Sequence, residues 1–151
     1  MAITRSIVLF CLSLSMVACN RYNIQAIDAP EGPTSTLVIY RPQYASAAPA
    51  VVAIDGVDIA LLRNETYLEI STSAGPHVIS VRGFRVGLTD EKNMTLQENA
   101  VLRLKVDNNG WVMAGPPLVM HLSKLYYLEE DNSLSLEDLK KTFTRVNVSY
   151  K

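Results

Sequence analysis

The chain has few of the residues on which site chemistry and covalent ties depend. Its 151 residues include two cysteines, two histidines, one tryptophan and seven glycines. Both cysteines, Cys11 and Cys19, fall in the first 20 residues, so no disulfide staples the rest and no Cys-x-x-Cys pair holds zinc. His77 and His121 stand 44 positions apart, which gives no zinc signature. "DEKN" (90–93) and "DNNG" (107–110) lack the ligand spacing of a calcium loop and read as solvated turns. The glycines at 83, 87, 110 and 115 mark strand breaks and form no phosphate-cradling loop. No metal or cofactor is expected. An excess of one charge is missing too: 14 Lys plus Arg face 15 Asp plus Glu. Without a basic stripe, nucleic acid is not expected as a partner.

A long apolar run is also absent. Ile7 to Ala18 supplies 12 residues, interrupted by Cys11, Ser13 and Ser15, whereas a helix crossing the roughly 30 Å hydrocarbon layer needs about 20. The stretch is too short to span. Arg5 gives a positive start, Ile7 to Leu14 an apolar centre and Ala18 a small residue at the end, the layout of a cleaved secretory signal over residues 1–18. "MVAC" (16–19) resembles the lipobox of bacterial lipoproteins, in which the cysteine becomes the diacylated first residue of the mature protein. Cysteine arithmetic agrees, because cleavage removes Cys11 and leaves Cys19 without a partner in an oxidising compartment. Two or three acyl chains on one residue anchor firmly without a span. The resemblance therefore implies a membrane partner through Cys19. It further implies outer-membrane sorting with the domain facing the periplasm, since Asn20 and not Asp follows the cysteine.

Residues 20–35, "NRYNIQAIDAPEGPTS", combine Pro30, Gly32 and Pro33 with no sustained period. Residues 19–35 are expected to form a lipidated tether. Sixteen residues reach at most roughly 50 Å. From 36 to 151 the pattern has period two. "TLVIYR" (36–41) ends at Pro42; "AVVAI" (50–54) runs through Asp55-Gly56 into "VDIALL" (57–62), with Val57, Ile59 and Leu61 expected on one face. "TYLEIST" (66–72) places Leu68 and Ile70 inward and Tyr67 outward. "HVISVRG" (77–83) aligns His77 with Ile79 and Val81, and "AVLRLKV" (100–106) turns Leu102, Leu104 and Val106 inward. "LVMHLSKLYYL" (118–128) offers a further strand, and "EED" (129–131) an acidic turn. "SLSLEDLKKTF" (133–143) reads as the one helix, capped by Ser135, with Leu136, Leu139 and Phe143 on one face. The fold class is all-β: a small antiparallel β-sandwich with a short C-terminal helix packed over its edge.

Residues 36–84 resemble the DUF2846 family of bacterial lipoproteins. The resemblance is carried by Tyr40-Arg41-Pro42 at a strand end, Asp55-Gly56, Asn64 with Tyr67, and Gly75-x-His77. The hairpin also resembles PEGA-type surface modules. The family resemblance implies a small β-sandwich without established enzymatic activity.

A serine nucleophile would need His77 or His121, both on apolar strand faces, and no Gly-x-Ser-x-Gly occurs. No enzyme is expected. The leading expectation is a membrane-anchored envelope module that binds another envelope protein, with Tyr44, Tyr67, Trp111, Tyr126 and Tyr127 as candidate surface aromatics. The same rings could stack on sugars in a glycan- or peptidoglycan-binding module. A third class is a hydrolase. An aromatic platform beside a groove would favour glycan, and a flat patch a protein. A pocket holding a histidine against a carboxylate would favour the enzyme.

Overall fold

The computed structural model describes residues 23–44, 48–83, 89–108 and 126–151. Cys19, Trp111, His121 and the expected strand residues 118–125 lie outside the described residues. Among the described residues, nine strands and one helix follow in order: β1 (Thr34–Arg41), β2 (Ala50–Ile54), β3 (Val57–Leu62), β4 (Thr66–Ser73), β5 (Gly75–Gly83), β6 (Thr89–Leu96), β7 (Val101–Asn108), β8 (Tyr126–Glu130), α1 (Leu136–Thr142) and β9 (Thr144–Val146). They form a five-stranded sheet, β8-β7-β1-β4-β9, facing a four-stranded sheet, β3-β2-β5-β6. The all-β sandwich with its short helix is thus the fold, but one sheet is mixed. β1 runs parallel to β7, and β4 parallel to β9.

The strands form where branched and aromatic residues fill both sides of a pleat. β1 lies at the centre of its sheet and is buried on both faces. Leu37 and Ile39 point into the main core, while Val38 and Tyr40 point to the outer face. The main core joins them to Val52, Ile54, Leu68, Ile70, Ile79, Val81, Leu104 and Val106, all buried. Asp55 and Gly56, with φ of 50° and 80°, make the tight β2–β3 turn. Two consecutive positive φ values match the twist of a two-residue hairpin.

Three expectations about pattern are corrected. In β3 the register shifts between Val52 and Ala53 of its partner, a bulge. Because a one-residue shift exchanges faces, Ala60 and Leu62 enter the core and Leu61 does not. "DEKN" is no turn but the middle of β6, an edge strand whose inward face carries Asp90 and Lys92 before Met94 and Leu96. Inward charges on an edge strand deter pairing with other chains, and they conceal the alternation. "EED" is no turn either: Glu129 and Glu130 complete β8.

The helix follows Ser135, whose hydroxyl accepts from the Asp138 amide at 3.1 Å while the Ser135 amide donates back to the Asp138 carboxylate at 3.3 Å. Leu139, the one fully buried residue of α1, packs with Val38, Tyr40 and Tyr67 in a second, smaller core on the outer face of the five-stranded sheet. Phe143 stands edge-on to Tyr40, ring centroids 5.5 Å apart. The helix therefore covers the face over β1 and β4, not the sandwich edge.

Residues 25–29, inside the stretch expected to be tether, are laid against the domain. The Gln25 amide donates to Asp58, those of Ile27 and Ala29 donate to Ser149 and Lys151, and the Lys151 amide returns a bond to Ile27. This strap closes the seam between β3 and the final residues, with Ile27 partly buried against the core. The opposite seam is bridged by a side chain: the Leu128 amide of β8 donates to the Asp90 carboxylate of β6 at 3.0 Å. Among the described residues no helix is long and apolar enough to cross a membrane.

Candidate functional site

The strands give the sandwich two ends, about 26 Å apart at 3.3 Å per residue over the eight residues of β1. One end carries the strap; the other carries Tyr44.

At the far end the five candidate aromatics separate. Tyr67 is 4% exposed beneath α1, and Tyr126 is fully buried, so both leave the surface and join the cores. The outward phase of Tyr67 was legible, but not the helix that covers it. Tyr126 is held by Arg41, the arginine of the Tyr-Arg-Pro stretch. Its guanidinium, itself fully buried, donates to the Leu62 carbonyl at 3.0 Å, to Ala48 at 2.6 Å and to the Tyr126 hydroxyl at 3.2 Å. Burial lowers the Arg41 pKa, opposed by the Tyr126 oxygen. This arginine ties the ends of β1, β3 and β8.

Tyr44 and Tyr127 stay half-buried and converge on one carboxylate. Asp107 of β7 lies directly across from Tyr127 of β8, and Lys105 across from Glu129, cross-strand pairs on the outer face. The Lys105 ammonium is 3.0 Å from Asp107 and 3.1 Å from Glu129. Tyr44 and Tyr127 are both close enough to Asp107 to feel its charge, and the Asn108 amide donates to it at 2.7 Å. Burial pushes the Asp107 carboxyl up, but these donors outweigh it and hold it below the ordinary range. Burial and then Asp107 push both tyrosines up, and the bond to Asp107 followed by that to Glu129 raises Lys105. Asn64 fixes the backbone, its amide donating to the Tyr44 carbonyl at 2.8 Å. Beside this group, Tyr40 donates to Asp131. Hydrogen bonds from Ser133 and Tyr40 hold the Asp131 carboxyl down at about 2.

At the strap end lies a group that sequence reasoning did not assemble. His77 does align with the buried Ile79 and Val81, but its ring is polar-bonded on both sides. Nδ1 is 2.7 Å from Asp55 Oδ2, and Nε2 is 3.3 Å from Ser73 Oγ and 2.9 Å from the Ser73 carbonyl. Asp55 Oδ1 accepts from the Val78 amide at 2.8 Å, so the carboxylate is held by the backbone of the strand that carries His77. The side chain of His77 is 10% exposed and that of Asp55 51%. A cleft of about 390 Å³ opens beside the three, walled by Ile27 and its strap neighbours, Ile54, Val57 and Lys151. The signal that could have found it is an Asp-Gly turn followed by histidine at a strand start, with serine four residues earlier. Among the described residues, no three His, Cys, Asp or Glu side chains converge to hold a metal ion.

The chain matches no family model, no curated protein and no solved structure, so the resemblance of residues 36–84 rests on the residues that carry it.

Proposed function

We propose that the chain is an envelope lipoprotein, anchored through Cys19, whose sandwich offers the Tyr44–Tyr127 surface to a partner protein. The observation that carries this reading is the gathering of two half-exposed tyrosines about the Lys105–Asp107–Glu129 cluster at the end opposite the strap, with Tyr127 directly across from Asp107 and the Tyr44 backbone held by Asn64. Rings fixed in advance avoid the roughly 0.5–1.5 kcal/mol that ordering each side chain costs on binding. The same geometry speaks against a sugar as occupant. Asp107 is already engaged by the Lys105 ammonium and the Asn108 amide, leaving fewer acceptor positions for ligand hydroxyls.

The strap sets the orientation of such an anchored domain. With residues 25–29 docked, Cys19 stands six residues before Gln25 and thus within at most roughly 20 Å of it. The strap end then faces the bilayer, and the tyrosine surface stands about one strand length further out.

The test is in-cell photocrosslinking with benzoylphenylalanine at position 127, against the same probe at Val78, which is 36% exposed on the other sheet. A discrete adduct at 127 that is absent at 78 is the expected result; equal or absent adducts at both positions overturn the reading. Cys19→Ala should abolish palmitate incorporation and release the chain from the membrane fraction.

A further inference from the structure

We propose that Ser73, His77 and Asp55 form an acyl-transfer site that hydrolyses small carboxylic esters seated in the cleft under the strap. Nucleophile, base and orienting carboxylate must be within hydrogen-bond reach in that order. Here Ser73 Oγ to His77 Nε2 is 3.3 Å and His77 Nδ1 to Asp55 Oδ2 is 2.7 Å. The first distance is loose, as is common before a substrate is bound.

The tautomer follows from the partners. Asp55 is an acceptor, so Nδ1 donates to it; Nε2 faces the Ser73 hydroxyl and, closer, the Ser73 carbonyl, so it serves as base in the tautomer that turns its lone pair to the hydroxyl. When Nε2 takes the hydroxyl proton, the Ser73 carbonyl at 2.9 Å is already placed to accept from it. The carbonyl thus favours the protonated ring that the transfer produces. His77 and Ser73 are the catalytic residues, and Asp55, fixed by the Val78 amide, is a positioning residue.

In the first step Ser73 Oγ forms a bond to the ester carbonyl carbon and its proton moves to His77 Nε2. The carbon–oxygen bond to the alcohol then breaks, and the alcohol leaves with that proton. Water, deprotonated by His77, attacks the acyl-serine and returns Ser73 with a free carboxylic acid. Ester and water become acid and alcohol, with no other reactant. The apolar wall of Ile27, Ile54 and Val57 suits a short acyl chain, and about 390 Å³ is at the small end of ligand sites. Lys151, in the same wall, supplies the one cation among the described residues there, its ammonium 3.4 Å from Asp28.

The test uses the full chain in non-ionic detergent, a fluorophosphonate probe and p-nitrophenyl butyrate. In the probe reaction Ser73 Oγ bonds to phosphorus, fluoride leaves, and the proton goes to His77. Mass spectrometry is expected to place the adduct on Ser73. Ser73→Ala should remove both adduct and ester hydrolysis while leaving the unfolding midpoint within a degree or two. His77→Asn should slow labelling by at least about 100-fold, the scale of a general base. Asp55→Asn should change the pH profile of labelling, which a purely structural residue would not do. Absence of an adduct on Ser73 in the folded chain overturns the proposal. So does labelling that proceeds equally fast in folded His77→Asn. Neither outcome depends on the tyrosine surface or on Cys19.

Discussion

Replacing Leu139 by alanine tests how the helix belongs to the domain. Leu139 is fully buried against Val38, Tyr40 and Tyr67 and is the only side chain of α1 so placed. A buried leucine cut to alanine costs about 2–5 kcal/mol, and a seven-residue helix has almost no stability of its own. The main core does not include Leu139. The loss should therefore appear as undocking of α1, with the two sheets remaining folded. Taking about 2–3 kcal/mol as the part felt locally, amide exchange should quicken by about 30- to 150-fold at 1.36 kcal/mol per decade. The reporters are the Phe143 amide, bonded to Leu139 at 2.8 Å, and the Thr144 amide, bonded to Glu65 at 2.9 Å. Amides at the centre of β1 should exchange as before, and Leu139→Met should restore most of the protection, since that exchange conserves volume. If β1 loses protection in the same measure as Phe143, the helix is part of one cooperative unit and the reasoning fails. If Phe143 keeps its protection, the second core contributes nothing.

Three further outcomes can be measured. Gly56→Ala meets no atom within 4 Å but must hold a φ of 80°, so it should cost about 1–2 kcal/mol, seen as a lower urea midpoint at unchanged slope. Asp131 is held at about 2 in the folded state and titrates near 3.9 when unfolded. Its contribution is present above pH 4 and is lost as pH falls toward 2, so Asp131→Asn should flatten the acid limb of the stability curve. If the variant and parent curves remain parallel down to pH 2, the Tyr40–Asp131 link carries no stability. In Asp107→Asn the tyrosines lose the charge that helps hold their protons, so part of the tyrosine absorbance titration should move to lower pH; an unchanged titration would show that burial alone sets it.

Much of this fold was legible wherever strands alternate cleanly. β2 and β3 were bounded to the residue by Asp55-Gly56, and β7 turned Leu104 and Val106 inward as its period dictates. β6 was not legible because Asp90 and Lys92 occupy core-facing positions, which inverts the hydrophobic signal. The strap escaped notice because its pairing is with Ser149 and Lys151, more than 120 positions away. For the sites, residue type was readable but company was not. Nothing local tells that Tyr67 lies beneath a helix while Tyr127 meets Asp107. His77 was placed on the correct strand face, yet its partners come from two turns: Asp55 precedes it by 22 residues, and Ser73 stands across the bend that enters β5.

The strap has a consequence in time. Ile27 pairs with Tyr150, so the strap is synthesised well before the partner it is seated on. At about 5–20 residues per second, some 120 residues take about 6–25 s. Throughout that interval the strap's bonds to Ser149 and Lys151 cannot form, and closing so long a loop adds its entropy at the end. The strap is thus made before its partner, and its docking marks the closing of the seam between β3 and residues 149–151.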